Sequence, residues 1–317
     1  MFSDSIKNFP KQFAYQPEIK NAAPFLGREI FIILGMGGSH LAADLIAAYK
    51  PEADIIVYSD YGLNFPESVL ASALIVASSY SGNTEEVIDG FETAVQKNLA
   101  VAVIATGGKL IELAQKHQKP YIELHNTGIQ PREALGFSLR ALLKIMGDEK
   151  TLKETESLAE SLRPEEIREK AQSLANRLKG HIPVIYTSQK KASVGYIWKI
   201  KLNETGKVPA FCNVVPEMNH NEINSFEVPA LAEKFYFLFL EDSYDHPRVQ
   251  KRMSVAADLF VKKGLKVEKI KLSGENHFHK IFSSLILADW VSFYLAEQYG
   301  LDPEQVPMVE EFKKLIS

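Results

Sequence analysis

Cysteine is nearly absent from this chain: among 317 residues only Cys212 carries a thiol. A single thiol forms no internal disulfide and cannot build a zinc site from several thiolates. Free cysteine behaves as a small apolar side chain, so Cys212 is expected in a core. Long apolar runs are missing too, since none approaches the roughly 20 residues that span a bilayer. The opening MFSDSIKNFPKQ has no apolar centre behind its charges and does not read as a leader. Nor does one sign of charge dominate, because 36 Lys and Arg face 40 Asp and Glu for a formal −4. Such a surface exerts no global pull on nucleic acid or anionic membrane, so neither is expected as a partner and any anion site has to be built locally. The cytoplasm is the expected location, and a small phosphorylated ligand is compatible with these limits.

What the chain does contain is apolar residue, 46% of it, beside 24% charged residue. That is enough for two ordinary domains with separate cores. In the first half, short β-branched or apolar runs at 29–34, 54–58, 74–78, 100–105 and 121–124 read as buried strands of a parallel sheet. Segments 41–49 and 85–96 between them have helical spacing. From 147 to 180 the composition turns to Glu, Lys, Arg and Ser with Leu at helical intervals, which suggests solvent-facing helices joining two units. Strand signals return at 182–186, 235–240 and 267–272, followed by a long helix near 278–299. The expected fold is α/β: two doubly wound domains, residues 1–150 and 151–317, each a parallel sheet flanked by helices.

Two turns carry chemistry. Gly35-Met36-Gly37-Gly38-Ser39-His40 follows a strand and opens a helix. It resembles a dinucleotide fingerprint whose third glycine is replaced by His40, with Asp60 about twenty residues on. A tight turn with no ligand is the plainer alternative. Ser78-Ser79-Tyr80-Ser81-Gly82-Asn83-Thr84 likewise follows a strand, and its hydroxyls with the amides of a helix start would cradle a phosphate. Here the ligand-free alternative is a cap by Asn83 with Glu86 closing a capping box. Two such turns at the carboxyl ends of one open sheet favour a phosphate site.

At these residues the chain resembles the sugar-isomerase domain family. Ser79-Tyr80-Ser81-Gly82-Asn83-Thr84 is similar to the family's phosphate loop, and Gly35-Met36-Gly37-Gly38-Ser39 to its first glycine turn. Pro131-Arg132-Glu133-Ala134-Leu135-Gly136, Asn203-Glu204-Thr205-Gly206-Lys207 and Pro216-Glu217-Met218-Asn219-His220 resemble the phosphoglucose/phosphomannose isomerase branch, in the same order. The resemblance implies phosphate contacts from Gly37, Gly38, Ser39, Ser79, Ser81 and Thr84. It also implies an aldose–ketose isomerase needing no cofactor and no metal. A carboxylate suits the proton transfer between C2 and C1, and Glu204 matches that position. His220, oriented by Glu217 or Glu222, would open the sugar ring. Arg132 would stabilise the enediolate, and Lys313, or its neighbour Lys314, would lie near the substrate.

The family also implies a homodimer with shared active sites, to whose surface Tyr196, Trp198 and Phe226 could contribute if they are not core. Where related dual-specificity enzymes carry a threonine before the C-terminal lysine, this chain reads Asp302-Pro303-Glu304-Gln305-Val306-Pro307. Glucose 6-phosphate is therefore expected to be preferred over mannose 6-phosphate. His277 and His279, with Glu275, lack a third ligand at useful spacing for a metal. A non-catalytic sugar-phosphate-binding regulator is the alternative reading, and it would need the cradle but neither Glu204 nor His220.

Overall fold

The computed structural model describes residues 2–21 and 28–316. The chain divides into two compact units, one of Asn8–Ser161 and one of Met1–Lys7 with Leu162–Ser317. The division thus falls after Ser161 rather than at 150, and the extreme N-terminus belongs with the second half.

The first unit is built on five parallel strands in the order β2-β1-β3-β4-β5. They are β1 Ile30–Leu34, β2 Asp54–Tyr58, β3 Ala73–Ser78, β4 Val101–Ala105 and β5 Tyr121–Glu123. Central strands β3 and β4 are buried at every residue, which is why they read as unbroken apolar runs without alternation. Helix Glu85–Gln96 shows the other period. Its Val87, Ile88, Phe91 and Ala94 form one stripe that packs on Ile32, Leu34 and Ile75 of the sheet.

The second unit repeats the scheme with four parallel strands, β6 Ile182–Ser188, β7 Phe211–Val215, β8 Phe235–Glu241 and β9 Lys266–Lys271, ordered β7-β6-β8-β9. Strand β7 escapes sequence reading because it is an edge strand: Phe211 is exposed, and Asn213 breaks the apolar run. Cys212 lies half-buried on this edge instead of in a core, though burial still raises its thiol above the ordinary value. Helix Pro164–Leu178 is not wholly solvent-facing. It buries Pro164, Ala171, Leu174, Ala175 and Leu178, and Trp290 of the long helix His277–Tyr299 donates its indole N–H to the Pro164 carbonyl at 2.9 Å. That 23-residue helix starts at Asn276, whose side chain accepts from the His279 amide, and stops at Gly300 with φ of 66°. Among the described residues no helix is long and apolar enough to cross a membrane.

Candidate active site

In the first sheet, β1 leads away to β2 on one side while β3 begins the run on the other, so the order reverses between β1 and β3. Ligands in open parallel sheets bind outside the carboxyl ends of the strands at such a point. Both glycine-containing turns emerge there, and hydrogen bonds join them. Ser78 Oγ donates to the Ser39 carbonyl at 2.8 Å, and the Tyr80 amide donates to Ser39 Oγ at 3.0 Å. Ser39 and Ser79 are buried, Thr84 is half-buried, and Gly37 and Ser81 face solvent. The hydroxyls of Ser79 and Thr84 bond each other at 2.8 Å, and the Gly82 amide donates to Ser79 Oγ at 3.1 Å. The six residues expected around a phosphate are therefore brought together, with Ser39 and Ser79 also holding the loops in shape.

Two glycines here answer to specific contacts. A Cβ on Gly38 would stand 2.9 Å from the Arg132 amide nitrogen, so only glycine lets the Pro131–Glu133 turn lie against the first loop. A Cβ on Gly82, whose φ is +71°, would stand 1.8 Å from the Gly107 carbonyl oxygen. Thr106-Gly107-Gly108, the turn after β4, thus props the second loop from behind. Thr106 Oγ1 donates to the Tyr80 carbonyl at 2.7 Å, and the Leu110 amide to Gly82 at 2.9 Å. This third turn was legible as Gly-Gly after a strand, although nothing else singled it out. The capping alternative for Asn83 does not hold. Thr84 occupies the N-cap position without a side-chain cap bond, and Asn83 Oδ1 instead accepts from the Lys109 amide at 3.0 Å.

Arg132 is 2% exposed and lies below the surface. Its turn is held by Gln12, whose Nε2 donates to the Glu133 carbonyl at 2.7 Å while its Oε1 accepts from the Gly136 amide at 2.9 Å. A glutamine more than a hundred residues upstream carries no sequence signal for that task. His40, in place of the third fingerprint glycine, is buried and pairs through Nδ1 with Asp44 at 2.6 Å.

In the second unit, Glu204 is the last residue of helix Ala192–Glu204. That helix is pinned to the long helix by the buried Lys201–Asp289 ion pair and by Trp198, whose Nε1 donates to Ser284 Oγ at 3.0 Å. A Cβ on Gly206 would lie 2.8 Å from the Leu202 carbonyl, which accounts for the glycine two residues past the glutamate. Lys207 donates to the carbonyls of Glu204 and Gln305, tying the C-terminal segment to the end of this helix. His220 is exposed and closes the short Glu217–His220 turn just beyond β7. Of its two candidate orienting groups, Glu222 accepts from the Tyr186 hydroxyl at 2.8 Å and from Asn213, and Glu217 accepts from Asn221 at 2.8 Å. Both are engaged elsewhere. Burial and Glu222 together push the Tyr186 phenol far above its ordinary value, so it stays a donor.

Topology separates the two residues. In a right-handed β6–helix–β7 unit the helix runs back along the sheet, which leaves Glu204 at the amino edge and His220 at the carboxyl edge. Five residues of β7 alone span about 16 Å.

Lys313 and Lys314 are both exposed on helix Pro307–Ile316, and Lys313 pairs with Glu310 at 3.0 Å. Trp198 and Phe226 belong to cores and form no surface, whereas Tyr196 is half-buried. Among the described residues no group of three or more His, Cys, Asp or Glu could hold a metal.

The reversal point of the second sheet, between β6 and β8, contains ions in place of hydroxyls. Asp242 after β8 receives Lys280 at 2.9 Å and Lys191 at 3.2 Å, all three nearly inaccessible. Burial alone would raise the Asp242 carboxyl, but Lys280, the Tyr244 amide and Lys191 outweigh it and hold it below the ordinary value. Ser188 Oγ donates to Asp245 at 2.8 Å, yet burial wins there and raises that carboxyl. His277 is pushed down to about 4, first by burial and then by the two lysines.

Tandem open parallel sheets, with a hydroxyl-lined cradle at one reversal point, place the chain among the two-unit sugar-isomerase folds. It superposes on the tagatose-6-phosphate ketose/aldose isomerase of Escherichia coli with a TM-score of 0.66 and 14% identity, covering 96% of this chain and 94% of that one. Residues 167–316 match the bacterial phospho-glucose isomerase C-terminal SIS domain. The bifunctional phosphoglucose/phosphomannose isomerase of Aquifex aeolicus is 34% identical over 98% of this chain and 96% of its own length. That of Caldicellulosiruptor bescii is 34% identical over 99% of this chain and 98% of its own. The chain belongs to the bifunctional phosphoglucose/phosphomannose isomerase family.

Proposed function

We propose that the chain is an aldose–ketose isomerase that interconverts glucose 6-phosphate, and more slowly mannose 6-phosphate, with fructose 6-phosphate. The phosphate sits in the cradle of Ser39, Ser79, Ser81 and Thr84 with the Gly37 and Gly38 amides, where neutral donors hold an anion without a fixed counter-charge. His220 moves a proton during ring opening. Glu204 then takes the C2 proton, leaving an enediolate, and returns it to C1 on the same face. Buried Arg132 meets the negative charge that develops on the enediolate oxygens, and Lys313 contributes from the C-terminal helix. The electrons move only between C1 and C2 of one molecule, so the chemistry calls for no hydride carrier.

The separation of Glu204 from His220 supports a homodimer in which each site takes its glutamate from one chain and its histidine from the other. Selectivity between the C2 epimers is assigned to the segment around Gln305, because about 1–3 kcal/mol of pocket shape suffices. The observation that carries the reading is the hydroxyl cradle at the β1/β3 reversal point in a chain that also presents Glu204 and His220. A coupled assay on glucose 6-phosphate, mannose 6-phosphate and fructose 6-phosphate tests it. Turnover with preference for the glucose epimer is expected, whereas binding without turnover would make the chain a sensor.

A further inference from the structure

A cavity lies in the second unit, between helix Pro247–Lys262 and the carboxyl ends of β8 and β9. Its volume of about 620 Å³ is in the range of small-molecule sites. The strand register explains its charge. On β9, Lys269 and Lys271 alternate with buried Ile270 and so share the face covered by the helix. Glu241 is the direct β8 neighbour of Lys271. From the helix come Gln250, Lys251 and Ser254, and the loops add Ser243 and Ser273.

Most of the charge around the cavity is already spent. Lys269 pairs with Asp258 at 2.8 Å, and Asp242 at the inner wall is matched by Lys191 and Lys280. Among the described residues Lys251 and Lys271 make no ion pair, and they line the cavity with the carboxylate of Glu241. The helix amides add nothing, because those of Arg248, Val249 and Gln250 are taken up by His246.

The first unit shows why the equivalent place there is closed. After β3 and β4 the turns touch at Gly82 and Gly107, which leaves no space between them. After β9 the chain turns toward the long helix, where a Cβ on Gly274 would stand 2.5 Å from Lys280 N, so the loops beyond β8 and β9 part.

We infer that this groove binds a phosphorylated polyol. Its phosphate would meet the Lys251 and Lys271 ammonium groups, and its hydroxyls the Glu241 carboxylate and the hydroxyls of Ser254 and Ser273. The site is independent of the cradle at the β1/β3 reversal point. Glucitol 6-phosphate is the probe, since it has no carbonyl to isomerise. Titration calorimetry on the full chain at low salt should give two equivalents per chain. The Lys251→Glu/Lys271→Glu variant should retain one equivalent and unchanged kcat and KM in the isomerase assay, and Lys251→Gln/Lys271→Gln should weaken the same equivalent. Ser81→Ala should weaken the other. Unphosphorylated glucitol should not occupy the groove. A wild-type stoichiometry that neither lysine double variant changes would overturn the proposal. Loss of the only equivalent on charge reversal would support the groove and count instead against the cradle.

Discussion

The crevice between β1 and β3 and the crevice between β6 and β8 hold equivalent places in their sheets and are made of opposite chemistry. The first is lined by hydroxyls and glycine amides, with one loop propped by the glycine turn after β4. The second has its own carboxylate, Asp242, seated between two lysines where an external anion would otherwise sit. Topology therefore offers a site twice, and loop chemistry decides whether it is left open. An ion pair supplied from within consumes the positive charge a ligand would need, while neutral donors stay available until a ligand arrives.

Breaking the ion cluster should have the largest effect on stability. Asp242→Ala leaves Lys191 and Lys280 buried without their carboxylate, and denaturant unfolding should show a loss of about 3–5 kcal/mol. A loss under about 1 kcal/mol would mean that water solvates and screens the cluster. Gly82→Ala comes next. Its methyl group would collide with Gly107 at a backbone angle that disfavours side chains, so about 2–3 kcal/mol of stability should go together with phosphosugar affinity. Ser81→Ala removes one exposed hydroxyl and should raise KM about tenfold with stability within about 0.5 kcal/mol of wild type. Equal losses of stability from Ser81→Ala and Asp242→Ala would erase the contrast between the crevices.

The last effect is pH-dependent. His277, held near 4 against an ordinary 6.5, is neutral in the fold and charged in the unfolded chain between those values. Its contribution is complete above about pH 6.5 and is lost as pH falls toward 4. His277→Asn should flatten this part of the stability profile by about 1–2 kcal/mol, a figure reduced for the partial exposure of the ring. An identical profile in the variant would place the acid sensitivity elsewhere.

Much of this arrangement was legible in the sequence because it is local. Strand β3 and its loop announce themselves by an apolar run followed by hydroxyls and glycine, and the Asn203-Glu204-Thr205-Gly206 motif locates the end of a helix. What was not legible depends on pairing across long separations. The grip of Gln12 on the Arg132 turn, the Lys191–Asp242–Lys280 cluster and the edge position of β7 leave no periodic signal. The opposite placement of Glu204 and His220 likewise follows from strand order, which their spacing of sixteen residues does not reveal.

That placement is the most exposed claim of the account, and mixed dimers test it. Glu204→Gln and His220→Ala homodimers should each lose about 10²–10⁴-fold in kcat, as expected when a positioned proton-transfer group is removed. If a site takes Glu204 from one chain and His220 from the other, each mixed dimer contains one intact site. An equimolar mixture that has exchanged chains at random should then recover about a quarter of wild-type activity. Mixed dimers verified by mass that remain as inactive as their parents would place both residues in one chain's site and contradict the account.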